Sequence, residues 1–180
     1  MKKPAKKPSS LFLCFSDRKC DFALEEAPRL LVKAAQAHQV IYMEEPVHEL
    51  VARPTLKTAA LTQHISVVTP VLPKGISAES AIGFQSGLVN MLIAAKSHDK
   101  LVFWYLTPMA MAFSSLIPCD ACVYDRVGER SDRTNQPPEF WDWDEKLLAK
   151  ADVVYRDGKK THGQKSPYSN TDAARLFGAS

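Results

Sequence analysis

The chain has 180 residues, of which 46% are hydrophobic and 24% are charged. This length and composition indicate one globular domain and exclude a disordered chain, a collagen and a coiled coil. No apolar run approaches the roughly 20 residues that a membrane-spanning helix requires.

The positive charge is concentrated at one end of the chain. The formal net charge is +3, from 23 Lys and Arg against 20 Asp and Glu. Four of the lysines lie within residues 1–7, so the rest of the chain carries 19 basic against 20 acidic residues. We interpret residues 1–9 as a basic flexible tail and residues 10–180 as one nearly neutral domain. We therefore expect no nucleic-acid partner.

Apolar runs alternate with helical spacings along the first half of the chain. Residues 10–15 and 40–43 read as buried strands. Between them, apolar residues from Leu24 to Ala34 recur at helical spacing, with Pro28 in the first turn. Residues 48–64 fit a short helix or a loop, and residues 65–71 a third strand.

The second half repeats this alternation. Apolar residues spaced by three and four predict a helix over 81–95, and strands follow at 101–105, 121–124 and 152–155. Thr107 and Pro108 favour the start of a helix that runs to about residue 117. Residues 126–136 read as a polar loop, and a helix starts at 137–138 and carries an apolar stripe to residue 151. The segment from about residue 156 is polar and weakly patterned.

Strands that are apolar throughout, separated by amphipathic helices, predict a sheet with helices on both faces. The fold class is therefore α/β, a three-layer, doubly wound, mostly parallel and Rossmann-like sheet of about six strands. Such domains bind ligands outside the carboxyl ends of their strands. The residues at this rim are Ser16, Asp17, Glu44, Glu45, Tyr105, Thr107, Asp125, Asp157 and Gly158.

Carboxylates at the rim can act as general bases or hold sugar hydroxyls. The alternative is that they cap helices or form ion pairs with Arg18, Arg126 and Arg130. The first strand is followed by no glycine-rich phosphate loop, and no Walker or nucleophile-elbow motif occurs. Asp157 and Gly158, which precede two lysines, could form an anion site at a helix entry or simply carry solvated charges.

The cysteines and histidines give weak signals. Cys119 and Cys122 have C-x-x-C spacing, but a strand rather than a helix follows them, so we interpret them, like Cys14 and Cys20, as ordinary thiols. Reduced cysteines fit a cytoplasmic protein, with a position at the membrane surface as the alternative. The five histidines are scattered, and we expect no metal site.

Four segments at strand ends resemble, in order and spacing, the N-terminal half of bacterial glycosyltransferases of the GT-B fold. They are residues 40–47 (VIYMEEPV), 104–110 (WYLTPMA), 123–125 (VYD) and 147–154 (LLAKADVV). Residues 20–22 (CDF) are similar to the family's first-loop W-D-F. Residues 170–172 (NTD), with Phe177 after them, are similar to the N-x-x-D…F at the end of its first domain. The resemblance covers roughly residues 10 to 177.

The resemblance implies an acceptor-binding domain that is incomplete without a second, donor-binding domain. Asp21, Asp125 and Glu129 would be the catalytic polar groups, and Thr107 with the following helix would bind an anionic group. From their position at the rim, Asp17, Glu45, Tyr105, Asp157 and Gly158 are the candidates for binding substrate, with a place in the core as the alternative for Tyr105. A nucleotide sugar would belong to the second domain or to a partner chain, so this domain would hold no cofactor. The acceptor would be a glycan or a lipid-linked sugar.

The sequence departs from the family's pattern mainly at the rim. Glu25–Arg29 stands where the family has Q-R-P-Q-H, and residues 124–130 keep Asp125 and Glu129 but lose one acid of Y-D-C-M-D-E-L. Residues 156–160 replace T-G-G-R-S. These departures leave three interpretations open: a glycosyltransferase-like domain not active by itself, a non-catalytic domain that binds protein or glycan, and an unrelated flavodoxin-like module.

Overall fold

A computed structural model describes residues 10–20, 29–126, 136–156 and 159–162. The strands in these ranges are β1 (Ser10–Phe15), β2 (Gln39–Met43), β3 (Val47–Glu49), β4 (Thr55–Ala60), β5 (Ile65–Pro73), β6 (Lys100–Tyr105), β7 (Ala121–Arg126), β8 (Val153–Arg156) and β9 (Lys159–His162). The helices are α1 (Arg29–Ala34), α2 (Ala78–Ala94), a 3₁₀ turn (Pro108–Ala110), α3 (Met111–Ser114) and α4 (Pro138–Lys150). None of the helices in this part of the chain is both long and apolar enough to cross a membrane.

The described strands form one sheet in the order β3-β5-β2-β1-β6-β7-β8-β9, and β4 pairs with β5. The six strands predicted from the sequence are β5, β2, β1, β6, β7 and β8, and each pairs in parallel with its neighbour. The predicted mostly parallel α/β fold is therefore confirmed. Parallel neighbours need crossover connections. Helices lie in those from β1 to β2, from β6 to β7 and from β7 to β8, whereas the connection from β2 to β5 contains β3 and β4.

The segment 48–64, which the sequence left between a helix and a loop, contains strands instead. β4 runs antiparallel to β5 from Thr55, opposite Val71, to Ala60, opposite Ser66. In the turn between them the hydroxyl of Thr62 accepts hydrogen bonds from the backbone N–H groups of His64 and Ile65. Because most of β4 is exposed, its sequence shows no apolar alternation. In addition, the turn between β4 and β5 contains neither Gly nor Pro.

The two faces of the sheet are covered by different helices. Leu13 of β1, Phe103 of β6 and Tyr124 of β7 lie in a core that includes Val89 of α2 and Leu147 of α4. The alternate residues of the same strands face α1 and belong to a second core, which contains Phe12, Cys14, Val102, Trp104 and Val123 together with Leu31 and Ala34. Side chains alternate between faces along a strand, so β1 and β6 are buried on both sides. The result is the predicted three-layer arrangement.

The chain turns into a helix after β6 as the sequence predicts. Thr107 is the N-cap, and its Oγ1 accepts from the backbone N–H of Met109 at 3.4 Å. The helix is shorter than predicted, because α3 ends at Ser114. The Oγ of Ser114 donates a hydrogen bond of 2.7 Å to the carbonyl oxygen of Ala110.

Candidate functional site

The direction in which the sheet is built reverses beside β1. The chain passes from β1 to β2 and β5 on one side, and it then returns to β6 on the other side. The crevice at such a switch point is where ligands bind in open α/β sheets. Here Ser16 follows β1 and Leu106 follows β6. The Leu106 N–H donates a hydrogen bond of 2.9 Å to the carbonyl oxygen of Phe15. Asp17 and Thr107 come one residue further on, on either side of this point.

Ser16 fixes the path of the chain as it leaves β1. Its buried Oγ accepts a hydrogen bond from the Tyr42 hydroxyl at 2.7 Å and another from the Arg18 N–H at 3.0 Å. Asp17 lies between these contacts and is exposed. A carboxylate on a fixed turn at the switch point is accessible to a ligand.

The two glutamates after β2 have different surroundings. Glu44 accepts a hydrogen bond from the N–H of Cys20 and another, at 2.6 Å, from the hydroxyl of Thr69. It therefore joins the loop after β1 to β5. Glu45, the residue predicted to bind substrate, is exposed. The sequence prediction did not assign this tethering role to Glu44.

Asp125 is buried within β7, with 4% of its surface exposed. It pairs in register with Tyr155 of β8, whose ring stacks on Trp104 with centroids 5.9 Å apart. Burial and then the Asp125 charge raise the pKa of Tyr155. The same two causes, followed by Cys20, raise the pKa of the Cys14 thiol. Asp125 thus acts electrostatically on groups of β1 and β8 on the α1 side of the sheet.

Tyr105, predicted to bind substrate, lies in the core on the opposite face, with 0% of its surface exposed. Its hydroxyl is 2.9 Å from the Oγ of Ser114, and burial raises its pKa. Thr107 is also buried, and its hydroxyl accepts the capping hydrogen bond from Met109. The helix that was expected to help Thr107 bind an anion is a 3₁₀ turn followed by the four residues of α3.

The sequence prediction missed a polar network on the α4 side of the rim. The Tyr124 hydroxyl donates to one carboxylate oxygen of Asp144, and Arg126 Nη2 donates to the other at 2.7 Å. The sequence offered Arg126 as a partner for rim carboxylates, but its partner is this buried residue of α4. The sequence did indicate that Asp144 is buried, since its spacing from Phe140 and Leu147 places all three residues on one face of α4.

Four predicted residues, Asp21, Glu129, Asp157 and Gly158, lie outside the described residues. Of the two alternatives for Asp157 and Gly158, the helix entry is not favoured, because Lys159 begins β9, which pairs antiparallel with β8. Of the remaining predictions, Asp17 and Thr107 lie at the switch point and Asp125 on the second strand beyond β1. Among the described residues no group of three or more His, Cys, Asp or Glu side chains could hold a metal ion.

No protein-family model matches the sequence, and no curated protein matches it. Solved structures do match. One is an E. coli structure described as trehalose-6-phosphate bound with UDP-2-fluoro glucose (14% identity, 80% of this chain, 39% of that chain, TM-score 0.44). A second is an apo OtsA structure (12% identity, 81% and 40%, TM-score 0.48). The third is an α,α-trehalose-phosphate synthase (UDP-forming) from Burkholderia xenovorans in complex with glucose-6-phosphate (13% identity, 80% and 39%, TM-score 0.48).

The chain spans about two-fifths of the length of these structures. They are glycosyltransferases of the GT-B fold, which is the class that the sequence resemblance named. At these identities and TM-scores we draw no chemistry from them, and the functional argument rests on the residues of this chain.

Proposed function

We propose that this domain binds the acceptor in a glycosyl-transfer reaction of the GT-B type. The observation that carries the proposal is the position of the resembling motifs in the sheet. Glu44 and Glu45 follow β2, Thr107 follows β6 and Asp125 lies near the end of β7. These segments are far apart in sequence, yet they end parallel strands of one sheet and therefore share one rim.

On this proposal an acceptor sugar lies across the switch point. Asp17, exposed there, accepts hydrogen bonds from sugar hydroxyls, and Glu45 contributes at the edge of the same rim. Asp125, with Asp21 and Glu129, orients one acceptor hydroxyl and takes its proton. The hydroxyl oxygen forms the bond to the anomeric carbon as the bond to the nucleotide diphosphate breaks. Thr107, Asp157 and Gly158 shape the surrounding site. The donor is bound by a second domain, in the same polypeptide or in a partner chain.

A second function, binding of a glycan or a protein without catalysis, is favoured by a separate observation. The polar groups of Ser16, Glu44 and Thr107 are engaged in hydrogen bonds within the domain. Asp125 is buried, whereas a general base must reach the proton that it removes. On this alternative, Asp17 and Glu45 would bind a ligand that is not transformed.

Ligand binding tests what the two functions share. Saturation-transfer NMR with a panel of monosaccharides, sugar phosphates and oligosaccharides should identify ligands, and Asp17→Asn and Asp125→Asn should weaken their binding. Asp99→Asn is the control, because Asp99 is exposed and precedes β6 at the opposite end of the sheet. Equal binding by all three variants, or no binding by any member of the panel, would rule out a sugar site at this rim.

A transfer assay separates the two functions. The chain is incubated with nucleotide sugars and the identified acceptor, first alone and then with any second Rossmann-like domain that the neighbouring reading frames encode. Transfer that requires both proteins and is lost in Asp125→Asn supports the acceptor-domain proposal. Binding that persists while no combination gives transfer supports the non-catalytic alternative.

A further inference from the structure

Two arginines occupy paired positions at the carboxyl ends of β7 and β8. Arg126 is the last residue of β7, Arg156 is the last of β8, and the two are register partners. Residues paired in neighbouring strands project from the same face of a sheet. In β9 the residue paired with Arg156 is Lys159. The backbone register therefore aligns Arg126, Arg156 and Lys159 across three strands at the rim.

The guanidinium group of Arg126 is held in place, but one of its N–H donors makes no hydrogen bond. Its Nη2 donates to Asp144 at 2.7 Å, and its central carbon lies 5.9 Å from the centroid of the Tyr124 ring. Its Nε is buried and has no hydrogen-bond partner. A buried donor without an acceptor costs about 1–3 kcal/mol. A ligand oxygen would remove this cost once the side chain turns the Nε–H toward it, and the ion pair with Asp144 keeps the guanidinium group beside α4 at the rim.

The local charge also favours an anion. Asp144 is the acid that contacts Arg126 within the described residues, and Arg156 forms no ion pair there. Arg156 is exposed. Like charges on directly paired residues destabilise a sheet. An anion placed between the two guanidinium groups would offset that repulsion.

We propose that Arg126 and Arg156 form a binding site for a phosphate or carboxylate group of a small ligand. The guanidinium group presents several N–H donors in a planar fork that matches the oxygens of both anions. The site lies at the carboxyl ends of the strands, where ligands bind in this class of sheet. That the anion belongs to the acceptor sugar rests on the proposed function, whereas the site itself does not.

The Nε–H resonances of arginine in ¹H–¹⁵N NMR spectra test the site directly. The signal of Arg126 is assigned by its loss in Arg126→Lys, a variant that keeps the charge beside Asp144 but lacks the Nε–H. The full chain is titrated with inorganic phosphate, glucose 6-phosphate, glucuronate and glucose. We expect the Arg126 signal to move with one or more of the anions and to remain unchanged with glucose.

The affinity of the variants provides a second readout. Arg126→Lys and Arg156→Gln should each weaken binding of the anion by about tenfold, the effect of losing one charge-assisted hydrogen bond. Arg156→Gln alters an exposed side chain and tests the site even where Arg126→Lys does not fold. Arg53→Lys, in the exposed loop before β4, should bind like the parent.

The outcomes separate the site from the proposed function. Movement with phosphate and glucose 6-phosphate alone identifies a phosphate site, and movement with glucuronate identifies a site that also takes carboxylates. An unmoved Arg126 signal with all three anions, equal movement with glucose, or parental affinity in Arg156→Gln overturns the inference. Anion binding by a chain that binds no sugar in the panel would leave this site standing and remove the acceptor function.

Discussion

The hydroxyl of Tyr42 on β2 donates a hydrogen bond to the Oγ of Ser16, 2.7 Å away, and both residues are buried. Ser16 is the first residue after β1, and it pairs through its N–H with the carbonyl of Met43. The contact thus joins the ends of two adjacent strands where the chain turns toward Asp17. The direction in which Asp17 projects from the rim depends on this pair.

Tyr42→Phe should lower the free energy of unfolding by about 1 kcal/mol, because it removes one buried hydrogen bond and leaves the ring in place. Chemical denaturation of Tyr42→Phe, Ser16→Ala and the double variant measures the coupling. We expect the sum of the two single losses in free energy of unfolding to exceed the loss in the double variant, since both substitutions break the same contact. Strictly additive effects would show that the two residues act independently.

Glu44→Gln and Glu45→Gln form a matched pair of neighbouring substitutions. Glu44 accepts hydrogen bonds from the Cys20 N–H and from the Thr69 hydroxyl, so the loss of its charge should cost about 1–2 kcal/mol. Glu45 is exposed, and Glu45→Gln should change the free energy of unfolding by less than about 0.5 kcal/mol.

The same pair separates structure from binding. If Glu45 contacts a sugar at the rim, Glu45→Gln should weaken ligand binding without altering the denaturation midpoint. Denaturation and ligand titration of both variants provide the two measurements. A stability loss in Glu45→Gln equal to that in Glu44→Gln would contradict the tethering role of Glu44.

Asp144→Asn should be among the more destabilising conservative substitutions in α4. The carboxylate is buried and accepts hydrogen bonds from Tyr124 and Arg126, so neutralising it leaves Arg126 without its counter-ion. We expect a loss of about 2 kcal/mol, measured by urea denaturation. Asp142→Asn, at an exposed position of the same helix, is the control. Similar effects of both substitutions would mean that the network contributes nothing.

The six buried strands could be predicted from the sequence, because the local pattern of apolar residues determines them. Residues 10–15 and 101–105 are apolar at every position or nearly so, and strands buried on both faces must be. The strand β4 could not be predicted in this way, since it pairs along one side and exposes most of its side chains. Its conformation depends on hydrogen bonds to β5, and these are non-local.

The site was predicted less completely than the fold, for a related reason. The position of a residue at a strand end indicates the rim but gives neither the face nor the depth of its side chain. Tyr105 and Asp17 were both placed at the rim, yet the first is buried in the core and the second is exposed. Likewise, the pairing of Arg126 with Asp144 and its register with Arg156 depend on how α4 and β8 pack against β7.

The buried thiol of Cys122 should make stability depend on alkaline pH. Burial first, and then the neighbouring Cys119, raise its pKa from the ordinary value of 9.0 to about 12 in the folded state. The unfolded chain therefore releases this proton near pH 9, while the folded chain retains it until about pH 12. Between these values the unfolded state binds fewer protons, so the free energy of unfolding falls as pH rises.

This loss is absent below about pH 9 and can reach about 1.4 kcal/mol per pH unit for one thiol. Cys122→Ala removes the titrating group and adds a small cavity, whose cost does not depend on pH. Urea denaturation under reducing conditions at several values from neutral to about pH 11 should give a shallower decline for Cys122→Ala than for the parent. Parallel declines in the two proteins would show that the thiol of Cys122 ionises as readily in the folded chain as in the unfolded one.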